Sequence, residues 1–588
     1  MANEVTIRIG GESGEGTISG GDILALSSAR WGYHVYTFRT FPAEILGGPC
    51  MFQVRISDQP VKSMGDYADV LICLNKEAFD RNIGDLRQGG VLIYDPSDFT
   101  PPDSGDYITY AVPFNEIARK EVQLFQTKNM VMLGAIAGLF GPPLPALTQV
   151  VESRLSKSRK SNPILMEKNM LALEIAEKYV KERLTKRDPY HLGPVEKADR
   201  VVLNGNQAVV AGALAARCRF FAGYPITPAS DIMEMLAKEL PMVGGTFLQA
   251  EDEIAAITSV LGASFGGQRA MTATSGPGIS LMTEAIGYAS MAEIPAVIVD
   301  AQRAGPSTGM PTKMEQADLS LALHASHGDT PRMIVAPADV ADCYRLMILA
   351  FNMAERYQMP VIFLTDQSLT ARVESVDSSV FKPLPIESRL QYSDGHNGAS
   401  SNGHAAEVHA TAESFARYAY TASGISPITT PGPGATPYVA TGLEHDIHGH
   451  PDYEPEDHTA MMEKRFRKLD TAADELPQPE RYGDEDAEIG IIGWGSTEGT
   501  IQEAVDRARA KGYKVASLHP KILSPLPDRT IRAFIRSVNK VIVPESNYTG
   551  QLANLLGAKY GLQAIRVNKF GGIPFTAGEI LRAIEEVS

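Results

Sequence analysis

The stretch FAGYPITPASD, residues 221–231, runs an apolar strand into two prolines and then into a Ser/Asp helix start. Proline fixes the backbone, and Ser and Asp favour the first position of a helix. The segment therefore presents rigid side chains at the end of a strand. Ligands bind at that edge of an open α/β sheet, so Tyr224 and Thr227 are predicted to face a cleft. An ordinary rigid turn is the competing interpretation.

Polar or glycine-rich residues follow the next strands in the same way. GTFLQA leads into an acidic cluster that contains Glu251 and Glu253. TATSGPG turns through Ser275 and Gly276 into a helix, and VIVDAQ precedes Arg303. Carboxylates in a first helical turn are also explained by the helix dipole alone. Their position after a strand is what makes them candidates for a site.

A second glycine-rich turn, GGESGEG, follows the first apolar alternation of the chain, VTIRI. Gly14 and Gly16 lie in this turn, where a phosphate could approach the amides of the next helix. The dinucleotide fingerprint also needs an acidic residue at the end of the second strand, and Arg39 stands there instead, so NAD is not supported. Two interpretations stay open: an anionic ligand such as a CoA phosphate with Arg39 as a contact, or tight helix–sheet packing without a ligand.

Strands and helices alternate along most of the chain, which predicts an α/β protein of three domains. A parallel sheet is predicted for the first, residues 1–185, and a doubly wound sheet for the second, residues 195–380. Residues 381–484 are predicted to be an extended excursion and linker, rich in Ser, Gly, His and Ala where it begins. A third α/β domain is predicted over residues 485–588.

Composition narrows the class of protein. The chain has 588 residues, and 54 basic against 70 acidic residues give a formal charge of −16. This sign disfavours binding to nucleic acid or to an anionic membrane. The four cysteines stand far apart without a CxxC spacing, so neither disulfides nor iron–sulfur ligands are predicted. No signal peptide or membrane-spanning run is visible, so a cytoplasmic protein is expected.

Four segments together resemble the alpha subunit of the 2-oxoacid:ferredoxin oxidoreductases: GYPITPASD, QAEDEIAAITSVLGASFGG, TSGPGISLMTEAIGYA and QRAGPSTGMPTKMEQADL. GLEHDIHGHPDYEPEDH resembles the region that follows them in that family. The GGESGEG domain resembles the family's gamma domain, here fused in front of alpha. The segment from about 485 resembles its transketolase-C-terminal-like domain. The resemblance implies that the second domain binds the pyrimidine end of thiamine diphosphate.

The resemblance also implies roles for single residues. A glutamate of the family hydrogen-bonds the thiamine pyrimidine, and matching the helix that follows assigns this role to Glu253 rather than Glu251. Arg303 matches the cation that faces the oxoacid carboxylate, with a structural surface ion pair as the competing interpretation. Thr227 is expected to hydrogen-bond the oxoacid, and Tyr224 to shape the pocket. The other residues expected to contact the cofactor are Pro225, Ile226, Ser275 and Gly276.

This sequence lacks one of the cofactor-binding motifs that the family's reaction requires. We find no GDG followed by paired asparagines, the pattern that binds magnesium and diphosphate in thiamine enzymes. The resemblance assigns Mg²⁺ and an iron–sulfur cluster to a separate beta subunit, with thiamine diphosphate shared between the chains. Coenzyme A is the implied co-substrate and ferredoxin the electron acceptor. A dimer of alpha–beta pairs is expected, with ferredoxin docking mainly on the beta subunit because like charges repel.

Four histidines, His445, His448, His450 and His458, alternate with aspartates. Their spacing fits no standard zinc pattern, so a polar loop that contacts the partner subunit is preferred, and no metal is predicted on this chain alone. The gamma–alpha fusion and the HGHPDYEPEDH segment most resemble 2-oxoglutarate enzymes of the family, and this resemblance implies 2-oxoglutarate as substrate. Pyruvate and branched or aromatic 2-oxoacids stay open, as do a non-catalytic scaffold and a self-contained NAD(P) dehydrogenase.

Overall fold

The computed structural model describes residues 4–42, 47–103, 105–157, 162–392, 415–432 and 435–588. These residues form two compact units. The first contains residues 1–204, 371–380 and 576–579, and the second contains residues 205–370, 381–575 and 580–588. The stretch SDGHNGASSNGH, predicted to be part of a surface excursion, lies outside the described residues.

The strands are, in chain order, β1 (Glu4–Glu12), β2 (His34–Thr40), β3 (Pro49–Ser57), β4 (Ala68–Cys73), β5 (Leu86–Tyr94), β6 (Tyr107–Ala111), β7 (Arg200–Asn204), β8 (Phe220–Gly223), β9 (Thr246–Gln249), β10 (Ala270–Thr274), β11 (Ala296–Gln302), β12 (Met333–Val335), β13 (Pro360–Asp366), β14 (Val373–Asp377), β15 (Arg481–Gly483), β16 (Ile489–Ile492), β17 (Val515–Leu518), β18 (Ile522–Ser524), β19 (Lys540–Glu545) and β20 (Ile565–Asn568).

The α-helices are α1 (Thr17–Trp31), α2 (Lys76–Asn82), α3 (Phe114–Glu116), α4 (Lys128–Leu139), α5 (Leu144–Lys157), α6 (Pro163–Arg183), α7 (Gly205–Ala215), α8 (Ser230–Glu239), α9 (Glu253–Phe265), α10 (Gly276–Met291), α11 (Leu319–His324), α12 (Val340–Tyr357), α13 (Gln367–Ala371), α14 (Pro455–Glu475), α15 (Glu498–Ala510), α16 (Asp528–Arg536), α17 (Gln551–Tyr560) and α18 (Ala577–Val587). Within the described ranges, none of these helices combines the length and the apolar character that crossing a membrane requires.

The first unit is built on a sheet with the strand order β6-β5-β4-β1-β3-β2-β14-β7. β1, β4, β5 and β6 run parallel, as the alternation of strands and helices predicts. The expectation of a purely parallel sheet is nevertheless wrong, because β3 lies antiparallel between β1 and β2. Only residues 41–48 separate β2 from β3. A parallel crossover needs a dozen residues or more, so this short connection enforces antiparallel pairing.

The inserted strand β3 also changes the surroundings of the glycine turn that follows β1. In a dinucleotide-binding fold the first two strands are neighbours, and the residue that ends the second strand holds the ribose. Here β3 separates them, so the end of β2 is displaced from the turn by one further strand. The strand order therefore gives the NAD(P) dehydrogenase interpretation no geometric support.

β7 and β14 complete the far edge of the same sheet and pair antiparallel with each other, from Val373 opposite Asn204 to Asp377 opposite Arg200. Both strands fall inside the range predicted for the second domain, residues 195–380. They are the strands through which the chain passes into residues 205–370 and returns. A boundary argued from a polar linker does not detect this pairing, because the two strands lie more than 160 residues apart in sequence.

The second unit contains a seven-stranded sheet with the order β18-β12-β13-β11-β10-β8-β9, parallel except for β18. Its strands β8 to β13 lie where apolar runs predict them. β10, β11 and β13 are buried along their whole length, as is typical of parallel strands covered on both faces. The chain passes from β8 outward to β9 and then back across β8 to β10. Ligands of open α/β sheets bind at such a reversal, beyond the carboxyl ends of the strands.

A five-stranded sheet, β15-β17-β16-β19-β20, belongs to the same unit. It lies close to the segment that follows β11, and the contact is made through Gln316, which is fully buried. The Gln316 side chain donates to the Trp494 carbonyl at 2.8 Å, and the Asn547 side chain donates to the Gln316 carbonyl at 2.9 Å. The C-terminal sheet thereby fixes the path of a segment that leads away from the strand ends.

A buried ionic cluster ties α14 to the turn between α10 and β11. Glu293 and Lys464 are fully buried, and Lys468 is 1% exposed. Lys464 Nζ donates to Glu293 Oε1 at 2.6 Å, and Lys468 donates to the other carboxylate oxygen. Burial raises the pKa of Glu293, but the two lysines and Arg417 outweigh it and hold that pKa below its ordinary value. The carboxylate is therefore the counter-charge of this cluster.

Replacing Glu293 with Gln is expected to destabilise the chain by about 3–5 kcal/mol, because two buried ammonium groups would lose their partner. Chemical denaturation followed by circular dichroism measures this loss. Glu284→Gln, on the preceding helix α10, is the matched control, since the Glu284 side chain is 79% exposed, and its effect should stay within about 0.5 kcal/mol. Equal stability of E293Q and the unmodified chain would contradict this account of the cluster.

Candidate active site

The residues that follow β8 form one wall of the site. Tyr224 is 42% exposed, Pro225 and Thr227 are also exposed, and Ile226 is half-buried. The Thr227 carbonyl accepts a hydrogen bond from Arg303 Nη1 at 2.7 Å. The structure therefore brings the YPITP turn and Arg303 into contact and leaves the side chains of Tyr224 and Thr227 accessible to a ligand.

Glu253 is the first residue of α9, the helix that follows β9. The Asp252 side chain caps this helix by accepting from the Ala255 N–H at 2.7 Å. Glu253 is 6% exposed, whereas Glu251 is exposed. A Cβ atom on Gly278 would lie 2.9 Å from Glu253 Oε1, so only glycine lets the first turn of α10 approach this carboxylate. Of the two glutamates, Glu253 is therefore the one held in a buried position.

Ser275 and Gly276 follow β10 and begin α10. The Ser275 hydroxyl is fully buried and donates to the Ala301 carbonyl at 2.8 Å, so it links the ends of β10 and β11. A Cβ atom on Gly276 would lie 2.6 Å from Asp318 Oδ2. In both cases the contact shown is one within the protein: a cross-strand hydrogen bond for Ser275 and a close packing contact for Gly276.

Arg303 lies directly after β11 and is 8% exposed. Its Nη1 is held by the Thr227 carbonyl, while its Nε is buried and has no hydrogen-bond partner in the part of the chain that the structure describes. Burial lowers the pKa of the guanidinium, and the charge of Asp318 opposes this shift. This arrangement is not the surface ion pair that was the competing interpretation. It is a buried cation whose Nε–H is still available to donate a hydrogen bond.

Two carboxyl groups that the sequence does not single out, Asp300 and Asp318, lie near these residues. Asp300 is fully buried, and burial together with the charge of Asp318 raises its pKa well above the ordinary value. Burial raises the pKa of Asp318 to about 6, against the opposing effect of Arg303. An acidic residue at the end of the apolar run AVIVD is the sequence signal that identifies Asp300. Asp318 stands in a loop and carries no such signal.

The glycine turn of the first unit contains its own ion pair. Gly14 and Gly16 both have positive φ, 101° and 85°. A Cβ atom on Gly16 would lie 2.7 Å from Asn129 Nδ2, whereas one on Gly14 would meet no atom within 4 Å. Glu15, between them, accepts from Lys128 Nζ at 2.8 Å. Close packing therefore accounts for Gly16, while Gly14 faces open space.

Arg39 ends β2 in the same unit. Its Nη2 donates to the Ala371 carbonyl, and its Nη1 lies 3.5 Å from Asp22 Oδ1. The guanidinium therefore already has an acidic neighbour, which weakens its attraction for an added phosphate. Gly14, Gly16 and Arg39 belong to the first unit, and Glu253 and the other residues of the wall described above belong to the second.

The histidine-rich segment does not gather into one site. Within the described residues, no group of three or more His, Cys, Asp or Glu side chains is placed to hold a metal ion, and the four cysteines are buried and form no disulfide. Each histidine contacts a different group: His445 the Leu443 carbonyl at 3.0 Å, His448 the Phe415 carbonyl at 3.1 Å, His450 the Asp446 carboxylate at 3.5 Å and His458 the Glu444 carboxylate at 2.6 Å.

Comparison with known proteins identifies the family. The profile described as the thiamine-diphosphate-binding part of pyruvate flavodoxin/ferredoxin oxidoreductase matches residues 211–464, which contain the site. Two further profiles, for pyruvate ferredoxin/flavodoxin oxidoreductase and for its core domain II, match residues 6–179 and 487–579. The 2-oxoglutarate oxidoreductase subunit KorA of Mycobacterium tuberculosis is 35% identical over 99% of this chain and 91% of its own length. The chain belongs to the 2-oxoacid:ferredoxin oxidoreductase family.

Other members of the 2-oxoacid:ferredoxin oxidoreductase family match over the same extent. The 2-oxoacid:ferredoxin oxidoreductase 1 subunit alpha of Aeropyrum pernix is 31% identical over 100% of this chain and 98% of its own. A solved 2-oxoglutarate:ferredoxin oxidoreductase from Magnetococcus marinus, with 2-oxoglutarate, coenzyme A and succinyl-CoA bound, is 40% identical over 99% of both chains, with a TM-score of 0.92. These matches confirm the predicted family and fold class. The relatives are named as subunits, so the chain is one component of a multi-subunit enzyme.

The site fits one end of a thiamine cofactor. A carboxylate that must hydrogen-bond a ring needs a dry, fixed position, and Glu253 has one. The absence of a side chain at Gly278 lets the first turn of α10 pack against this carboxylate and hold it in place. The same residues do not fit the diphosphate end, because Glu253, Asp300 and Asp318 would place further acidic groups beside an anion.

Proposed function

We propose that this chain is the alpha subunit, with a fused gamma domain, of a CoA-dependent 2-oxoglutarate:ferredoxin oxidoreductase. The reaction converts 2-oxoglutarate to succinyl-CoA and CO₂ and reduces ferredoxin. The observation that carries the proposal is that a buried carboxylate, Glu253, and a buried cation, Arg303, both follow the carboxyl ends of strands of one sheet. The 40% identity to an enzyme solved with 2-oxoglutarate and coenzyme A bound supports this substrate over pyruvate and over branched or aromatic 2-oxoacids.

Glu253 is proposed to hydrogen-bond the pyrimidine ring of thiamine diphosphate and to favour the tautomer that accepts a proton. The chemistry that this cofactor supplies when bound is a nucleophilic carbon that attacks the keto group of the oxoacid. Because Glu253 is buried, it acts in a low-dielectric environment, where a carboxylate influences its hydrogen-bond partner more than it does in water. Pro225, Ile226, Ser275 and Gly276 complete the proposed cofactor wall, with Ser275 and Gly276 acting through the backbone.

Arg303 is proposed to bind the 2-oxoacid carboxylate. Its Nη1 is anchored by the Thr227 carbonyl, and its buried Nε has no partner among the described residues, so the guanidinium is oriented and can still donate. Charge-assisted hydrogen bonds of this kind are among the strongest that proteins make. The exposed Thr227 hydroxyl and Tyr224 ring are proposed to contact the oxoacid and shape the pocket.

The gamma domain is proposed to contribute to coenzyme A binding. The open space beside Gly14 supports a ligand contact there, while Gly16 is explained by packing against Asn129. Arg39 is the weaker candidate for a phosphate contact because Asp22 already lies beside it. Binding of coenzyme A by the G14A variant tests this assignment.

A beta subunit is proposed to carry Mg²⁺, the diphosphate site and the iron–sulfur cluster. The acidic character of the site on this chain supports a separate location for the diphosphate. We further propose a dimer of alpha–beta pairs, ferredoxin docking mainly on the beta subunit, and a cytoplasmic location. The four buried cysteines form no disulfide, which agrees with a reducing compartment.

The isolated chain is expected to show no 2-oxoacid oxidation, and the complex with the beta subunit is expected to reduce a low-potential acceptor with 2-oxoglutarate and coenzyme A. The reason is that each chain holds only part of the cofactor site. Rates of acceptor reduction with 2-oxoglutarate, pyruvate and 2-oxoisovalerate, measured with and without the beta subunit, show whether activity depends on that subunit and which 2-oxoacid is preferred. A complex that prefers pyruvate would overturn the substrate assignment while leaving the reaction type intact. A complex inactive with every 2-oxoacid would overturn the reaction itself.

A further inference from the structure

A polar layer that the proposed roles do not use lies at the ends of β10 and β11. Thr274 and Asp300 are partners in the register of these two strands, and Thr272 lies two residues before Thr274 on the same face. All three side chains are buried, and in the described part of the chain their oxygens have no hydrogen-bond partner. A buried carboxylate without a partner is strongly disfavoured, so the burial of Asp300 raises its pKa and favours its neutral form.

Asp318 lies beside this layer in a fixed position. Its backbone N–H donates to Gln302 Oε1 at 3.0 Å, and the Gln302 amide donates to the Thr365 carbonyl at 3.0 Å. Its Oδ2 is buried, approaches the backbone of Gly276 closely, and has no hydrogen-bond partner within the described ranges. One oxygen of the half-buried carboxyl group is therefore held where neither solvent nor a hydrogen-bond donor of the described chain stabilises a negative charge.

The charged and titratable groups that act on Asp318 are Arg303, Glu315 and Asp300. Only Arg303 favours the ionised form. Arg303 is itself buried, and its Nε has no partner in the described chain. Its positive charge acts on Asp318, and it would act equally on an anionic ligand bound at the guanidinium. A substrate carboxylate and the Asp318 carboxylate therefore compete for one cation.

We propose that Asp318 takes up a proton from solvent when the 2-oxoacid binds, so that the whole charge of Arg303 is available to the substrate carboxylate. Asp318 is thus a positioning residue that links substrate affinity to pH. The inference rests on the proposed function, because it requires a 2-oxoacid at Arg303. The step forms one O–H bond on the Asp318 carboxylate and involves no oxidation or reduction.

The sign of the effect follows from the burial of Asp318. Burial raises the pKa of Asp318 to about 6, so at lower pH the group is already neutral and the substrate meets an uncompensated Arg303. At higher pH Asp318 is ionised, and each binding event must draw a proton from solvent. An anion bound at Arg303 favours the protonated form further. Affinity for the oxoacid is therefore expected to fall as the pH rises above about 6.

The test uses the assembled complex and glutarate, a dicarboxylate that lacks the keto group and cannot react. Calorimetric titration at pH 7.5 in two buffers of different ionisation enthalpy counts the protons taken up. About one proton per glutarate is expected for the unmodified complex, and close to none for Asp318→Asn. The dissociation constant should be roughly 50-fold larger at pH 8 than at pH 6 in the unmodified complex and nearly constant in D318N.

Asp329→Asn, which changes an exposed residue in the same region, is the matched control and should behave like the unmodified complex. Uptake of no protons by the unmodified complex would overturn the inference, and this measurement stands even if D318N does not assemble. Unchanged proton uptake in an assembled D318N would also overturn it. Turnover of 2-oxoglutarate by the unmodified complex is measured in parallel, so failure of the proposed function is seen separately.

Discussion

Replacing Glu253 with Gln is expected to lower turnover of the assembled enzyme by about 10²- to 10⁴-fold, the range associated with the loss of a positioned acid–base group. Gln is similar in size but cannot accept a hydrogen bond with the strength of a carboxylate. Glu253 is buried against the first turn of α10, so water cannot take over its role without rearranging that contact. Acceptor reduction under saturating 2-oxoglutarate and coenzyme A measures the loss in kcat.

Glu251→Gln is the matched control for this prediction. Glu251 lies two residues away in the same connection between β9 and α9, but it is exposed. The helix start itself should tolerate E253Q, because a carboxylate in a first turn contributes only about 0.3–1 kcal/mol through the helix dipole and Asp252 still supplies the cap. If E253Q kept activity within a few fold of the unmodified complex while E251Q lost it, the assignment of the two glutamates would be reversed.

The sheet of the second unit could be predicted from the sequence because its strands are buried on both faces. Such strands appear as continuous apolar runs, and β11 and β13 are examples. β3 gives no comparable signal, since Pro49–Ser57 alternates polar and apolar residues around Gln53 and Arg55. Its antiparallel placement depends on the length of a connection and on pairing with both neighbours, which local sequence does not encode.

The candidate site was predictable to the extent that its residues follow directly after strands. Thr227 and Arg303 each stand within a few residues of a strand end, and the structure joins them by a hydrogen bond. Asp318 could not be found in this way, because it lies 16 residues after Gln302 in a loop. The path of that loop is fixed by contacts of Gln316 with Trp494 and Asn547, far along the chain. Only the folded structure shows such contacts.

Replacing Arg303 with Ala is expected to lower kcat/KM for 2-oxoglutarate by about 10²- to 10³-fold, because a charged hydrogen bond contributes about 1.5–3 kcal/mol and the guanidinium can form two with a carboxylate. Much of the loss should appear as a higher KM, because Arg303 is proposed to contact the substrate carboxylate already in the binding step. The kcat/KM of Arg303→Lys should lie between those of R303A and the unmodified complex. Lys keeps the charge but loses the planar fork that donates two hydrogen bonds to one carboxylate. Steady-state kinetics over a range of 2-oxoglutarate concentrations separate KM from kcat.

This second prediction also decides between an enzyme subunit and a non-catalytic scaffold. Arg345→Ala, which removes an exposed arginine from α12, is the matched control and should leave kcat/KM within about twofold, as expected for a surface change. Assembly with the proposed beta subunit, measured by size-exclusion chromatography, should be the same for R303A, R345A and the unmodified chain. A scaffold would lose activity only together with assembly. Loss of activity by R303A in an intact complex therefore places the chain's own guanidinium in the reaction, whereas full activity would leave the scaffold interpretation standing.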